Sequence, residues 1–354
     1  MSTLVISDLH LHEWPAYSRL INGQHDRLQD GFSCLYQVSK IMDQRKIKYG
    51  VCLGDTHHIH DRMLNSVQNG LVRWMKKEKQ KGHDWTFLVG NHDWDSHGRA
   101  HCLEAFKSLV HVVDKPTGEL REIDNHWWYL IPWQFNTDTF EQAWRFVEQY
   151  KPDVVGLHHD FDDVMYRGQL IGRFGKASEL PKNKIILSGH YHDFQQIGPF
   201  AWYVSALMQH NWGDSGSQRG AVILSDTLKL ERVGLKAPTF RYITDNTLLD
   251  LRCPNALRKL VGDQFIRIRR TGPHAARARD RAVAAGARSV EFVITMTDGD
   301  LTTLVQEAAP ALGTPKFEQI IERYVSRQHT EGLIPKLLTR MGKRAMRSHD
   351  PLTA

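Results

Sequence analysis

Five short segments hold the residue types that could do chemistry. They are Asp8 and His10 in SDLHLH, Asp55 and His58 in GDTHH, and Asn91, His92 and Asp93 in GNHDW. LHHD then adds His158 and His159, and GHYH adds His190 and His192. Carboxylate, amide oxygen and imidazole together suit a hard-to-borderline divalent cation, and no thiolate is among them. The chemistry that uses such a set is two-metal hydrolysis, in which cations about 3.5–4 Å apart clamp a phosphoryl group and activate water. A bridging carboxylate is required, and Asp55 is the candidate because its loop lies between the other contributors. Any one of these histidines alone reads more readily as a polar turn or packed core residue. Five motifs in this order, each behind an apolar run, read as one dinuclear site.

Something must bring them together. TLVIS, YGVCLG, TFLVG, DVVGLHH, KIILSGH, WYVSA and GAVILSD are strand-like. Leu28, Phe32, Leu35, Val38 and Met42, then Leu64, Val67, Leu71 and Met75, then Phe140, Trp144 and Val147 recur at helical spacing. Apolar strands alternating with amphipathic helices predict an α/β layered fold, and the shorter later connections predict a second, partly antiparallel sheet. Ligands in such folds bind beyond the carboxyl ends of the strands, where each motif falls. Glycine before Asp55, Asn91 and His190 lets the chain turn sharply there.

At 354 residues with 41% apolar and 24% charged composition, the chain has the make-up of a soluble globular protein. No apolar run reaches the roughly 18 residues of a membrane span, and the N-terminus lacks a basic leader, so no membrane role is expected. Four scattered cysteines without a CxxC pair argue against a disulfide framework or structural zinc and for a reducing compartment, with the cytoplasm as the expected location. The net charge of +6 points to a polyanionic partner if it is clustered. After about residue 239 the texture changes. FRYIT, DQFIRIRR and SVEFVITM read as strands of a smaller unit around an Ala/Arg helix, and the segment from Thr314 onward reads as helical. The expected domains are therefore 1–239, 240–313 and 314–354.

The ordered set D-x-H, G-D-x-x-H, G-N-H-D, H and G-H-x-H, spanning residues 8 to 192, resembles the calcineurin-like metallophosphoesterase superfamily. More narrowly it is similar to the SbcD-type nucleases of the meiotic-recombination-eleven family. That resemblance implies a two-sheet sandwich flanked by helices, a small α+β capping domain and a helical C-terminal tail. It also implies that Asp8, His10 and His192 hold one metal, that Asp55 bridges, and that Asn91, His158 and His190 complete the second. His92 would be the general acid or transition-state stabiliser, Asp93 would orient it through its other ring nitrogen, and His58 would contact the scissile phosphate. Mn²⁺ is the expected metal, with Mg²⁺ the other candidate. LHHD leaves His158 and His159 open, with His158 favoured because it directly follows VVGL. His12 is expected at the rim of the site, and His57 as a packed or surface residue.

Between Arg252 and Arg288 ten Lys/Arg face two acids. Arg267, Arg269, Arg270, Arg277, Arg279 and Arg281 are candidate contacts to DNA phosphates, against the alternative of a solvated basic face. The tail from Gly332 to His349 carries five Lys/Arg and no acid. The resemblance makes it a docking element for an SbcC-type ATPase, and a homodimer is compatible with the family. Trp94 and Trp212 are placed for a substrate groove, whereas Trp127, Trp128 and Trp133 read as core. These features predict a metal-dependent DNA exonuclease, with endonuclease activity compatible, serving DNA repair, recombination or replication. The alternatives are a small-molecule phosphodiesterase or phosphatase, and a non-catalytic DNA-end-binding scaffold.

Overall fold

In a computed structural model, the described residues are 2–166, 169–170, 175–269 and 274–293. Two six-stranded sheets dominate. The first is built around the parallel strands Ser2–Ile6, Tyr49–Cys52, Asp84–Leu88 and His111–Val113, with Gly220–Ser225 and Leu230–Gly234 added antiparallel at one edge. The second is built around His126–Ile131, Val154–His158, Ile185–Gly189 and Ala201–Tyr203, all parallel, with antiparallel edge strands Glu119–Ile123 and Gln195–Gly198.

The apolar residues sort into three layers. Val5, Val51, Leu53 and Leu88 from the first sheet pack with Trp128, Leu130, Val154 and Leu187 from the second. The outer face of the first sheet is covered by helices Asp26–Arg45 and Asn65–Gln80 through Leu35, Val38, Leu71 and Trp74. The outer face of the second is covered by helix Thr137–Tyr150 through Phe140, Ala143 and Val147. This helix starts where Asn136 accepts the Thr139 N–H, an N-cap that satisfies an otherwise unpaired donor. Helix, sheet, sheet, helix is the two-sheet sandwich the motifs predicted. Continuously apolar strands follow from it, because their two faces are both covered.

A smaller sheet follows, formed by Phe240–Thr244, Phe265–Arg269 and Ser289–Phe292, all parallel. Helices Asp245–Asp250, Pro254–Val261 and Ala275–Ala284 lie in its connections and enclose Leu248, Ile266, Ile268 and Ala278. Its strands and helices thus alternate around a parallel sheet, rather than segregating as in the small α+β domain that the resemblance implied. Arg288 ties this unit down. Its guanidinium is ion-paired to Asp30 on the first helix and to Asp263, and Arg19 bonds Asp26. The described residues up to Phe292 belong to one compact unit. The predicted tail, 314–354, and Arg270 lie outside the described residues. Among the described residues no helix is long and apolar enough to cross a membrane.

Candidate dinuclear metal centre

The carboxyl ends of both sheets contribute to one cluster. The first sheet supplies Asp8, His10, Asp55 and Asn91, and the second supplies His158, His190 and His192. Asp8, His10, Asp55 and His190 all sit at positive φ, between 41° and 96°. Non-glycine residues seldom adopt that region, and clustering of such strain marks a functional site. The glycines serve closeness as much as turning. A side chain on Gly90 would run into the backbone and carboxylate of Asp55, and one on Gly54, itself at φ +99°, into the His158 ring.

Two sets of donors converge. His10 Nε2 and His192 Nε2 lie 3.0 Å apart, with His10 Nε2 3.5 Å from Asp55 Oδ2 and 4.0 Å from Asp8 Oδ1. Next to them, Asn91 Oδ1 lies 2.9 Å from His158 Nε2 and 3.0 Å from His190 Nδ1, and His158 Nε2 is 3.5 Å from Asp55 Oδ1. Asp55 thus offers one oxygen to each set. His158 Nδ1 donates to the Leu53 carbonyl at 2.6 Å, so in the neutral ring Nε2 carries the lone pair and faces the amide oxygen. Acceptors facing acceptors need a positive charge between them, a proton on Nε2 or a cation that displaces it. Two ligands about 2.1 Å from a shared cation, at right angles, are separated by roughly 3 Å. The donor set and its spacing fit two divalent cations.

The protonation balance follows from burial and charge. Burial alone would raise the Asp55 carboxyl, but the imidazoles of His158 and His92 hold it well below the usual carboxylate range. Burial opposes the charged form of His158, yet the Asp55 carboxylate outweighs it and lifts the imidazole to about 9. Asp8 is raised, chiefly by burial. His10 and His190 are held well below the usual imidazole value by burial. Burial likewise opposes the charge on His192, but Asp214, 3.8 Å from its Nδ1, raises it.

His158 and His159 part company. His158 enters the cluster, whereas the His159 ring stacks on Phe140 at 4.1 Å, on the helix side of its sheet. His12 stands at the rim, half-buried, 5.4 Å from the Trp14 ring and 5.9 Å from His58. His57 is buried, its Nδ1 3.4 Å from Cys102 Sγ. His92 Nδ1 donates to the His58 carbonyl at 2.6 Å, which fixes the ring and leaves Nε2 outside that bond. His58 stacks against the His92 ring at 5.1 Å and lies tilted against Trp14 at 4.1 Å. Burial, and then His92 and His12, push its imidazole down to about 3.

The expected role of Asp93 is corrected. It does not orient the His92 ring, because the His58 carbonyl has taken that nitrogen. Asp93 Oδ1 instead accepts the N–H groups of Thr56 at 2.9 Å and His57 at 3.3 Å, and Oδ2 accepts that of Gly90 at 2.9 Å. Three inward-pointing backbone donors at two tight turns need an acceptor, and a buried carboxylate supplies it.

The arginines divide. Arg269, Arg277 and Arg279 are exposed. Arg267 is half-buried, bonded to Glu291 at 3.0 Å and stacked over Trp212 at 4.2 Å. Arg281 spends its N–H groups on the carbonyls of Leu249 and Leu251, so it serves the small unit's own packing. Trp212 packs against Tyr17, Phe240 and Tyr242 in an aromatic cluster rather than lining the metal centre.

Sequence reasoning missed His210 and Asp214. The buried His210 donates from Nε2 to the Asp8 carbonyl at 3.2 Å, and its ring lies 5.2 Å from His10. Asp214 accepts the His210 N–H at 2.7 Å and ion-pairs with Arg219 at 3.0 Å. Burial works against its charge, but His192 holds the carboxyl far below the usual range. Both sit in a loop after WYVSA with no spacing signature. The Asn211/Asp214 capping box closes the short turn there.

No family model matches the chain. Among curated proteins it is similar to "Putative phosphoesterase 078R" of Invertebrate iridescent virus 3, 24% identical over 247 residues, covering 63% of this chain and 67% of that one. Among solved structures, the Pseudomonas putida nuclease MPE aligns with a TM-score of 0.33 and 13% identity over 62% of this chain and 82% of its own. A protein of unknown function from Aquifex aeolicus, AQ665, aligns with a TM-score of 0.28 and 14% identity over 49% and 89%. The layering described above is a two-sheet α/β sandwich flanked by helices, with the donor cluster at its strand ends.

Proposed function

We propose that this chain is a divalent-metal-dependent phosphodiesterase acting on DNA. The observation that carries the metal-dependent hydrolase reading is the pair of converging donor sets sharing Asp55, with His92 beside them. Asp8, His10 and His192 would hold one cation, Asn91, His158 and His190 the other. Bound there, the cations neutralise phosphoryl oxygens and lower the pKa of water. His92 holds its ring by Nδ1 and presents Nε2 to the leaving oxygen, a proton transfer that typically contributes 10²–10⁴-fold. Mn²⁺ is the first metal to try, with Mg²⁺ second.

The similarity to a phosphoesterase supports hydrolysis at phosphorus. Exposed Arg269, Arg277 and Arg279 support a polyanionic substrate. An SbcC-type ATPase partner, a homodimer, and a role in DNA repair, recombination or replication belong to the same reading. The internal engagement of Arg267 and Arg281 favours a second reading, a phosphodiesterase of small substrates. Cleavage of end-labelled duplex DNA with Mn²⁺, alongside a phosphomonoester and a simple phosphodiester, separates the two. Stepwise shortening by wild type and none by His92→Ala supports the nuclease. Turnover of the small esters alone supports the second reading.

A further inference from the structure

Two loops of the site carry more than ligands. The His92 ring lies between two others, His58 at 5.1 Å and His60 at 4.8 Å, both nearly parallel to it. His60 Nδ1 donates to the Trp94 carbonyl at 3.0 Å, so its Nε2 is left for other partners on an exposed side chain. Trp94 packs edge-on against Phe135 at 5.6 Å and against His101 at 5.1 Å, and its buried Nε1 makes no hydrogen bond. Phe135 is 53% exposed. It follows Trp133, whose ring stacks on His190 at 5.1 Å, so Phe135 stands at the carboxyl end of a strand beside the second donor set.

We propose that His60, Trp94 and Phe135 form the subsite for the nucleotide flanking the scissile phosphate. Phe135 stacks on its base, and the imidazolium form of His60 donates from Nε2 to its outer phosphate. The inference rests on the nuclease reading and gives that site a substrate-positioning wall. The wall is rigid. Asp61 accepts the backbone N–H and hydroxyl of Ser96, both at 2.8 Å, which fastens the His60 loop to the Trp94 loop. The acids nearby are used within the loops, since Asp95 accepts the N–H groups of His97 and Arg99. The exposed cations Arg62 and Arg99 remain on the same loops to face a polyanion. Phe135 leans on Trp94 and on Gly98, where an added side chain would come within 3.0 Å of its ring. One face is therefore supported while the residue as a whole stays open, which is the arrangement a base-stacking platform needs.

The test uses the full chain with Mn²⁺ on a single-stranded oligonucleotide and on copies carrying one abasic nucleotide at successive positions. Base stacking on an aromatic side chain supports a loss of roughly tenfold or more in affinity when it is removed. For wild type, KM rises by about that factor when the abasic nucleotide occupies the flanking position. Phe135→Ala raises KM equally on the intact strand and shows no further loss on the abasic one, while Phe135→Tyr restores the wild-type pattern. His60→Ala raises KM on both strands, and His60→Gln, which keeps a donor, lowers it again. Losses that simply add between Phe135→Ala and the abasic substrates, or a Phe135→Ala variant with wild-type KM, overturn the subsite and leave the nuclease reading standing. Wild type that cleaves small diesters and no oligonucleotide overturns both.

Discussion

Asp55 Oδ1 accepts the backbone N–H of His92 at 2.9 Å. The carboxylate shared by the two donor sets therefore also anchors the loop that carries the proposed proton donor. Asp55→Asn keeps an oxygen for that N–H and removes the charge. It is expected to leave the melting temperature of the metal-free chain close to wild type while bound metal drops sharply. Cleavage should fall by more than the roughly 10–100-fold typical of losing an outer partner of a metal ligand. Elemental analysis beside a thermal melt checks both halves.

His92 and Asp93 are adjacent, yet their substitutions should fail differently. His92→Ala removes a half-buried ring and is expected to abolish cleavage with little change in stability. Asp93→Ala strands the N–H groups of Thr56, His57 and Gly90, each unpaired buried donor costing about 1–3 kcal/mol. Urea unfolding should show a loss of roughly 3 kcal/mol or more for Asp93→Ala alone. Equal stability of the two variants would refute the assignment of Asp93 to the turns.

Asp214 stands behind His192, and Asp214→Asn weakens the charge that orients it. Divalent-cation affinity is expected to fall roughly 10–100-fold, measurable by calorimetric titration of the metal-free chain. Unchanged affinity would mean that the 3.8 Å approach of Asp214 to His192 has no bearing on metal binding.

The same titration should depend on pH. In the metal-free chain the Asp55 carboxylate keeps His158 protonated up to about 9, and a cation must displace that proton. Apparent affinity should therefore climb as pH rises from 7 toward 9, by up to about tenfold per unit for one displaced proton, with protons released to buffer. A flat profile would contradict the pairing of His158 with Asp55.

Thiol chemistry offers a test away from the centre. Burial pushes Cys34 up to about 12 and raises Cys52 and Cys102 as well, whereas Cys253 is exposed. Only the thiolate reacts. At pH 8 the native chain should show one fast thiol with a disulfide reagent, and four after denaturation.

Much of the cluster was legible because strand ends announce themselves as apolar runs breaking into Asp, Asn or His. Asp8, Asp55, Asn91 and His158 were found that way. The separation of the ligands onto two facing sheets was not, since parallel strands of either sheet read alike when both faces are covered. Asp93 was misassigned because spacing places it beside His92 but says nothing of which way a tight turn points its backbone donors. His210 and Asp214 carry no local signal. They reach the cluster only through the return of the chain after Ala201–Tyr203. Arg281 looked like surface charge because its carbonyl partners, Leu249 and Leu251, lie some thirty positions away.

The division of the ligands between the sheets has a mechanical meaning. Asp8 and His192 lie at opposite ends of a long stretch of chain and on opposite sides of the plane where Val5, Leu53, Trp128 and Leu187 interlock. A cation gripping both would act as a reversible crosslink across that seam. Its binding energy would resist the opening of one layer from the other, because ligands that bind only the folded state stabilise it. Chelation should therefore loosen the sandwich along this seam first, making amide exchange in Val154–His158 and Ile185–Gly189 a gauge of occupancy.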